Sequence, residues 1–276
     1  MTTTRTATKT TRLVRVGDTT IAVTERGHGR PVLLIHGGGE NAEMMSAQAD
    51  SIAAAGYRAI TYDRRGTGDS GRDSWPGDGA DQHADDAAAL LGALGAERAV
   101  VLGLSTGGVI AINLTARHPE LVSRAIAWEP PALGILPDGE QINDAMMAPA
   151  LAHLADHPGD FVGAQAILLS AILGFPVDVD DPDFAAARAN AEPMIVDEPA
   201  IPLKRFDSGD LAGKPVTIAV GSSSLDLISA AAQQLSHWIG TPVVEVQGEH
   251  EVYFSEPATL TAVLRTLAPT PHRDCG

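Results

Sequence analysis

The apolar positions at the start of the chain predict β-structure of two kinds. Two short β-rich runs, residues 13–16 and 20–24, flank the turn Gly17-Asp18-Thr19, a spacing that predicts an opening β-hairpin. The next run, Pro31-Val32-Leu33-Leu34-Ile35, is continuously apolar. Strands with this pattern are buried on both faces, as in a parallel sheet.

Strand and helix patterns then alternate as far as residue 128. Strand-like runs cover residues 58–62, 99–102 and 125–128, and helical patterns cover residues 84–94 and 109–117. This alternation predicts an α/β fold with a doubly wound, mostly parallel sheet and right-handed crossovers.

The alternation is interrupted between residues 129 and 210. Pro, Asp and short helical patterns, at residues 161–173 and 184–190, replace the strands there. A strand at 214–220, a helix ending near 238, a strand at 243–246 and a last helix at 257–267 follow. We therefore expect a core domain of residues 1–129 and 211–276, with residues 1–10 as a flexible tail, and a helical lid of residues 130–210.

Composition and charge restrict the classes of function. Hydrophobic residues make up 44% and charged residues 20% of the chain, as in a soluble globular protein. The net charge of −16 is spread along the chain, which disfavours binding to nucleic acid or anionic membranes. No run of about eighteen apolar residues predicts a membrane span, and the first ten residues lack the apolar segment of a signal peptide. We expect a cytoplasmic protein.

The cysteine content excludes two further features. Cys275 is the only cysteine, so neither an intrachain disulfide nor a thiolate metal cluster can form. No metal-ligand spacing such as H-E-x-x-H is present either. We expect neither a metal nor another cofactor.

The segment Gly103-Leu104-Ser105-Thr106-Gly107 matches the pattern G-x-S-x-G. A β-branched strand precedes it and a helix follows it, which is the context in which this pattern raises a nucleophilic serine above a sheet. A serine that only caps the helix would give the same letters. The context favours Ser105 as a nucleophile.

The loop His36-Gly37-Gly38-Gly39 directly follows the buried strand that ends at Ile35. Such a loop supplies a backbone N–H to a developing oxyanion, and the second N–H comes from the residue after the nucleophile, here Thr106. We expect Gly38 as the first donor, with Gly37 as the alternative. The loop lacks the G-x-G-x-x-G spacing of dinucleotide sites.

Four motifs together resemble the landmarks of the α/β-hydrolase superfamily, in that family's order. They are the glycine loop at 36–39, Tyr62-Asp63-Arg64-Arg65-Gly66-Thr67-Gly68-Asp69-Ser70, the serine motif at 103–107, and Gly248-Glu249-His250. The resemblance extends from about residue 21 to residue 267. It implies an eight-stranded sheet with a lid inserted after the sixth strand. His250 follows the last strand run, where the general base of the family lies.

The acid that orients the histidine has two candidates. Most relatives carry it just after the seventh strand, but this chain has Gly221-Ser222-Ser223-Ser224-Leu225 there, and the first carboxylate is Asp226. Glu129 follows the sixth strand, at the sheet edge where ligands gather. This arrangement is similar to that of the fungal zearalenone lactonases. We favour Glu129 and keep Asp226 as the alternative acid.

These residues predict a cofactor-independent serine hydrolase that acts through an acyl-enzyme. The insertion is rich in Ala, Leu, Ile, Pro and Met, which favours an apolar ester or lactone, zearalenone among them. The three tryptophans, Trp75, Trp128 and Trp238, lie outside the insertion, however. Ser at position 105 disfavours the Asp-dependent dehalogenases and epoxide hydrolases.

Two other functions remain open at this point. The same fold could carry a C–C bond hydrolase or another cofactor-free enzyme that modifies polyketides. A ligand-sensing protein that keeps the triad and turns over slowly is the third hypothesis. The expected partner is a small apolar molecule, and the sequence leaves the oligomeric state open, a homodimer included.

Overall fold

A computed structural model describes residues 9–181 and 184–269. Its strands are β1 Lys9–Val16, β2 Thr19–Gly27, β3 Pro31–Ile35, β4 Arg58–Tyr62, β5 Ala99–Leu104, β6 Val122–Trp128, β7 Val216–Gly221 and β8 Val244–Val246. Its α-helices are α1 Ser46–Ala54, α2 Ala80–Ala93, α3 Thr106–Arg117, α4 Gly139–Asp156, α5 Phe161–Leu173, α6 Ala185–Arg188, α7 Ala191–Val196, α8 Ser208–Leu211, α9 Asp226–Ile239, α10 Val252–Ser255 and α11 Ala258–Leu267.

The eight strands form one sheet in the order β1-β2-β4-β3-β5-β6-β7-β8. β2 pairs antiparallel with β1 and with β4, and the remaining neighbours pair in parallel. The predicted fold class, a mostly parallel eight-stranded sheet with helices, is thereby confirmed.

The apolar character of the central strands follows from helices on both faces of the sheet. One apolar cluster joins one side of the strands to α2, α3 and α9, and a second joins the other side to α1, α10 and α11. Every residue of β5 and β7 is buried. A strand covered on both faces buries apolar side chains at every position, which is why these runs show no alternation.

Several element bounds differ from the prediction. β1 begins at Lys9, so residues 9 and 10, predicted as part of a flexible tail, pair instead with β2. The remainder of that tail, residues 1–8, lies outside the described residues, as does Cys275. Helix α1 was not predicted, because its small residues give a weak apolar stripe, although Ala49 and Ile52 are buried.

The described residues between β6 and β7 form helices and loops without a strand, with an apolar cluster of their own that includes Met147, Ala164 and Leu168. Helix α5 has the predicted bounds, and the Asp160 side chain caps its start by accepting from the Gly163 amide. The pattern at 184–190 yields only the four residues of α6. Helix α4 was missed because Pro149 lies inside it, and an internal proline normally ends a helix.

The length and apolar character of the described helices differ from those of a membrane-spanning helix. Within residues 9–181 and 184–269, no helix is long and apolar enough to cross a bilayer.

Candidate active site

The parallel strands bring the motif loops to one edge of the sheet. Ile35 at the end of β3 lies opposite Gly103 of β5, and Leu104 of β5 lies opposite Trp128 of β6. Trp128 in turn lies opposite Ala219 of β7, which is followed by β8. The loops that begin at His36, Ser105, Glu129 and after β8 therefore share the carboxyl edge, where open α/β sheets bind ligands.

Ser105 occupies a tight turn between β5 and α3. Its backbone has φ 50° and ψ −122°, a region that side-chain-bearing residues rarely adopt. A Cβ on Gly103 would lie 2.1 Å from the Gly107 carbonyl oxygen, and a Cβ on Gly107 would lie 2.3 Å from that of Ile35. Both positions therefore require glycine. The Ser105 side chain makes no capping hydrogen bond to α3, so capping does not account for it.

Glu129 and His250 contact each other directly. His250 Nδ1 lies 2.5 Å from Glu129 Oε2, and the other oxygen, Oε1, accepts from the Gly221 amide at 2.8 Å. Glu129 is 1% exposed, whereas the His250 side chain is 28% exposed. Burial by itself raises the pKa of Glu129, but the hydrogen bonds from His250 and Gly221 outweigh it and hold the pKa below its ordinary value.

The backbone conformation of Glu129 is also unusual. It has φ 43°, and it is one of four residues other than glycine with positive φ in the described ranges, Ser105 being another. Its amide donates to Ala219 at 2.8 Å, and the preceding Trp128 side chain donates from Nε1 to the His250 carbonyl at 2.9 Å. Strained positions of this kind are typical of functional sites.

The alternative acid, Asp226, lies elsewhere. It is the first residue of α9, its side chain is exposed, and it makes no hydrogen bond or ion pair within the described part of the chain. The structure thus brings Glu129, and not Asp226, into contact with His250. The Gly221 amide at the end of β7 holds the Glu129 carboxylate at the edge where the usual acid is missing.

Ser105 and His250 are not hydrogen-bonded to each other. Among residues 9–181 and 184–269, the Ser105 hydroxyl has no hydrogen-bond partner, and His250 Nε2 has none either. Both groups are partly exposed at the same sheet edge. Trp128 connects the two residues, because its carbonyl accepts from the Ser105 amide at 2.9 Å and its side chain donates to the His250 carbonyl. Catalytic hydrogen bonds are often formed only once substrate is bound.

The structure distinguishes the candidate oxyanion donors by whether their amides already have an acceptor. The Gly37 amide, the alternative donor, donates to Glu40 Oε2 at 2.7 Å, so its N–H is engaged and Gly38 is favoured as the first donor. The Gly38 and Thr106 amides donate to no acceptor within the described ranges. A Cβ on Gly38 would lie 3.8 Å from Thr106 Cγ2, so these two positions are adjacent.

His36 stabilises the glycine loop. Its Nδ1 donates to the Gly37 carbonyl at 2.9 Å, and its Nε2 accepts from the Arg64 amide at 3.2 Å. Burial, and then the nearby Arg64 charge, hold the pKa of His36 well below its ordinary value. A neutral imidazole with the proton on Nδ1 satisfies both contacts, which is a structural role.

Glu40 and Tyr253 were missed by the sequence motifs. Glu40 Oε1 accepts from the Tyr253 hydroxyl at 2.8 Å while Oε2 accepts from Gly37, so this buried carboxyl joins the glycine loop to the chain just after His250. Burial raises the pKa of Glu40 to about 7, against the lowering effect of these two donors. Only its position next to the glycine motif could have drawn attention to it.

The raised pKa of Glu40 gives a prediction on stability. Between pH 4.5 and about 7 the folded protein holds a proton on Glu40 that the unfolded chain releases, so the free energy of unfolding falls as the pH rises through this window. The loss is on the order of 3 kcal/mol at most. The Glu40→Gln variant, with no titrating group there, should gain stability relative to wild type over the same window. Urea unfolding at several pH values measures it, and parallel stability curves would contradict it.

Arg64 and Glu198 form a second buried pair beside the glycine loop. Arg64 Nη2 donates to Glu198 Oε1 and, at 3.1 Å, to the Gly37 carbonyl. The neighbouring Arg65 binds Asp86 with two hydrogen bonds of 2.8 and 2.7 Å. Glu198 lies in the helical insertion, outside any motif, so no pattern in the sequence indicates it.

Comparisons with known proteins agree with this fold. A family model described as alpha/beta hydrolase fold matches residues 30–159. AB hydrolase superfamily protein YisY of Bacillus subtilis is 41% identical over 99 residues, which are 36% of this chain and 37% of that protein. The match therefore spans well under half of this curated relative.

Two solved structures are similar over nearly the whole chain. Bromoperoxidase from Bacillus anthracis has a TM-score of 0.74 at 20% identity, over 94% of this chain and 99% of its own. E-2-(Acetamidomethylene)succinate hydrolase has a TM-score of 0.63 at 26% identity, over the same shares of the two chains. The protein has the α/β-hydrolase fold.

Proposed function

We propose that the protein is a cofactor-independent serine hydrolase that cleaves an apolar ester or lactone through an acyl-enzyme. The observation that carries the proposal is the buried Glu129 carboxylate, bonded to His250 Nδ1 at the sheet edge that also carries the strained Ser105 turn. A carboxylate in this position fixes the imidazole tautomer that leaves Nε2 free to accept a proton.

Each residue has a role in the proposed reaction. His250 Nε2 takes the proton of the Ser105 hydroxyl as its oxygen attacks the carbonyl carbon, and Glu129 stabilises the imidazolium that forms. His250 then gives this proton to the leaving alkoxide, which departs as the alcohol. A water molecule, deprotonated in the same way, releases the acid from Ser105.

The backbone supplies the stabilisation of the tetrahedral intermediate. The amides of Gly38 and Thr106, which have no acceptor in the described ranges, would donate to the oxyanion. Thr106 begins α3, so its amide also carries the partial positive charge of a helix N-terminus. Removing one such donor typically costs a hundredfold to a thousandfold in rate, on the order of 3 kcal/mol.

The substrate class is proposed from the helical insertion. Residues 130–210 would form a lid over the sheet edge, and their sequence, rich in Ala, Leu, Ile, Pro and Met, favours an apolar substrate. The position of Glu129 after β6 is the feature shared with the zearalenone lactonases. Zearalenone is therefore a candidate substrate, although no tryptophan of the insertion is available to stack on its ring.

A substrate panel tests the proposal. Wild type and Ser105→Ala would be assayed by liquid chromatography against p-nitrophenyl butyrate, aliphatic lactones of increasing ring size, and zearalenone. We expect Ser105-dependent hydrolysis of at least one ester or lactone. Cleavage of a β-diketone with every ester left intact would instead favour the C–C hydrolase. Saturable binding that protects the lid from hydrogen exchange without turnover would favour the ligand sensor.

A further inference from the structure

A carboxylate oxygen of Glu198 faces the glycine loop without a partner. Glu198 is 5% exposed, and its Oε1 pairs with Arg64, but its Oε2 has no hydrogen bond. A Cβ on Gly38 would lie 3.5 Å from this Oε2. The oxygen therefore lies beside the residue whose amide we propose as an oxyanion donor.

A second buried polar atom close to Gly38 also lacks a partner. Thr106 Oγ1 makes no hydrogen bond, and the Thr106 methyl carbon lies within contact distance of the same Gly38 position. Buried polar atoms are nearly always hydrogen-bonded, because an unpaired one costs about 1–3 kcal/mol. The unpaired Glu198 oxygen beside Gly38 is therefore a position where a donor group of a bound substrate would remove this cost.

We propose that Glu198 Oε2 accepts a hydrogen bond from a hydroxyl or N–H group on the acyl side of the substrate, near the scissile carbonyl. This inference rests on the proposed function. It makes Glu198 a specificity determinant of that site, and it adds one polar requirement to an otherwise apolar substrate.

The acyl side follows from the placement of Glu198. The leaving oxygen must face His250, because His250 donates a proton to it. Within the described residues, Glu198 makes no hydrogen bond or ion pair with His250. Glu198 instead lies at Gly38, whose amide would donate to the carbonyl oxygen of a bound substrate in the proposed reaction. The donor group must then lie within about two or three bonds of the carbonyl carbon, as in a hydroxy or amido ester.

The ion pair with Arg64 determines which groups Glu198 can bind. A carboxylate offers only acceptors, and Arg64 balances its charge, so Glu198 does not leave an unopposed negative charge beside the oxyanion. Arg64 is fully buried and bonds to the Gly37 carbonyl as well, which fixes the pair relative to the glycine loop.

Matched esters test the inference. We would compare kcat/KM for each enantiomer of ethyl 3-hydroxybutyrate with that for ethyl butyrate, each divided by its rate of hydroxide-catalysed hydrolysis. Wild type should prefer one hydroxy ester by about tenfold to a hundredfold, the range expected for a hydrogen bond to a charged group. Glu198→Gln should lower this preference at least several-fold, since it replaces the anionic acceptor.

Two further variants make the outcome decisive. Arg64→Met combined with Glu198→Met removes both charges and leaves no buried charge unpaired, and the preference should be lost in it. Glu192 lies in the same insertion and forms an exposed ion pair with Arg72. The Glu192→Gln variant removes this carboxylate and should keep the wild-type preference.

Equal wild-type rates on the paired esters, or a preference that survives both Glu198 variants, would overturn this inference while the proposed function stands. Failure to hydrolyse either ester, together with failure of the wider substrate panel, would overturn the proposed function and this inference with it.

Discussion

Replacing Ser105 with Ala is expected to lower kcat for the best ester substrate by about a thousandfold to a millionfold, the range seen when a triad nucleophile is removed. The proposed reaction has no second group that could attack the carbonyl carbon from the same point. The oxyanion donors and the substrate contacts remain, so the loss should appear in kcat rather than in KM. Steady-state kinetics of both proteins measure it.

The control for this variant must carry similar backbone strain. Ser74 is the other serine with positive φ in the described ranges, at 52°, and its hydroxyl donates to Asp18 in the turn between β1 and β2. Ser74→Ala should keep the wild-type kcat. The unfolding midpoint of Ser105→Ala should stay near that of wild type, because the Ser105 hydroxyl makes no hydrogen bond. A kcat within tenfold of wild type would remove Ser105 from the mechanism.

The Glu129→Gln variant is expected to lower kcat by about ten-thousandfold, as in triads whose acid is replaced by its amide. The Gly221 amide donates to Oε1, so the amide oxygen of the new side chain would face Gly221 and its NH2 would face His250. An NH2 group at Nδ1 favours the tautomer with the proton on Nε2. That tautomer cannot accept the Ser105 proton.

Asp226→Asn is the matched control for the acid. The exposed Asp226 side chain has no contact with His250, so this variant should keep kcat within about threefold of wild type, as exposed substitutions generally do. Circular dichroism and unfolding midpoints would establish that both variants are folded. A larger loss for Asp226→Asn than for Glu129→Gln would assign the acid to the loop after β7.

The sequence predicted those features that depend on local pattern. The apolar runs predicted the sheet, and β3, β4 and α5 have the predicted bounds because their patterns end at clear breaks. The Ser105 turn was predictable since its two glycines are required by contacts within a few residues of β5 or with the neighbouring β3. Cytoplasmic residence and the absence of a nucleic-acid partner stay predictions.

Features that depend on distant packing could not be predicted. The Glu40 carboxyl contacts Tyr253 across more than two hundred residues, and Glu198 reaches Gly38 from a helical segment without a motif. Gly37 and Gly38 are equivalent in the sequence, and only the contact with Glu40 distinguishes their amides. Helix α4 forms in spite of Pro149 because its buried residues pack against α5 within the insertion.

The most direct measurement is to locate the adduct of a fluorophosphonate probe by mass spectrometry of the folded protein. The probe reacts with a serine hydroxyl that a neighbouring base activates and that oxyanion donors face. We expect a single adduct on the peptide that contains Ser105, lost in Ser105→Ala and formed much more slowly in Glu129→Gln. An adduct on a different serine, or no adduct in folded protein that hydrolyses esters, would contradict the assignment of Ser105 as the nucleophile.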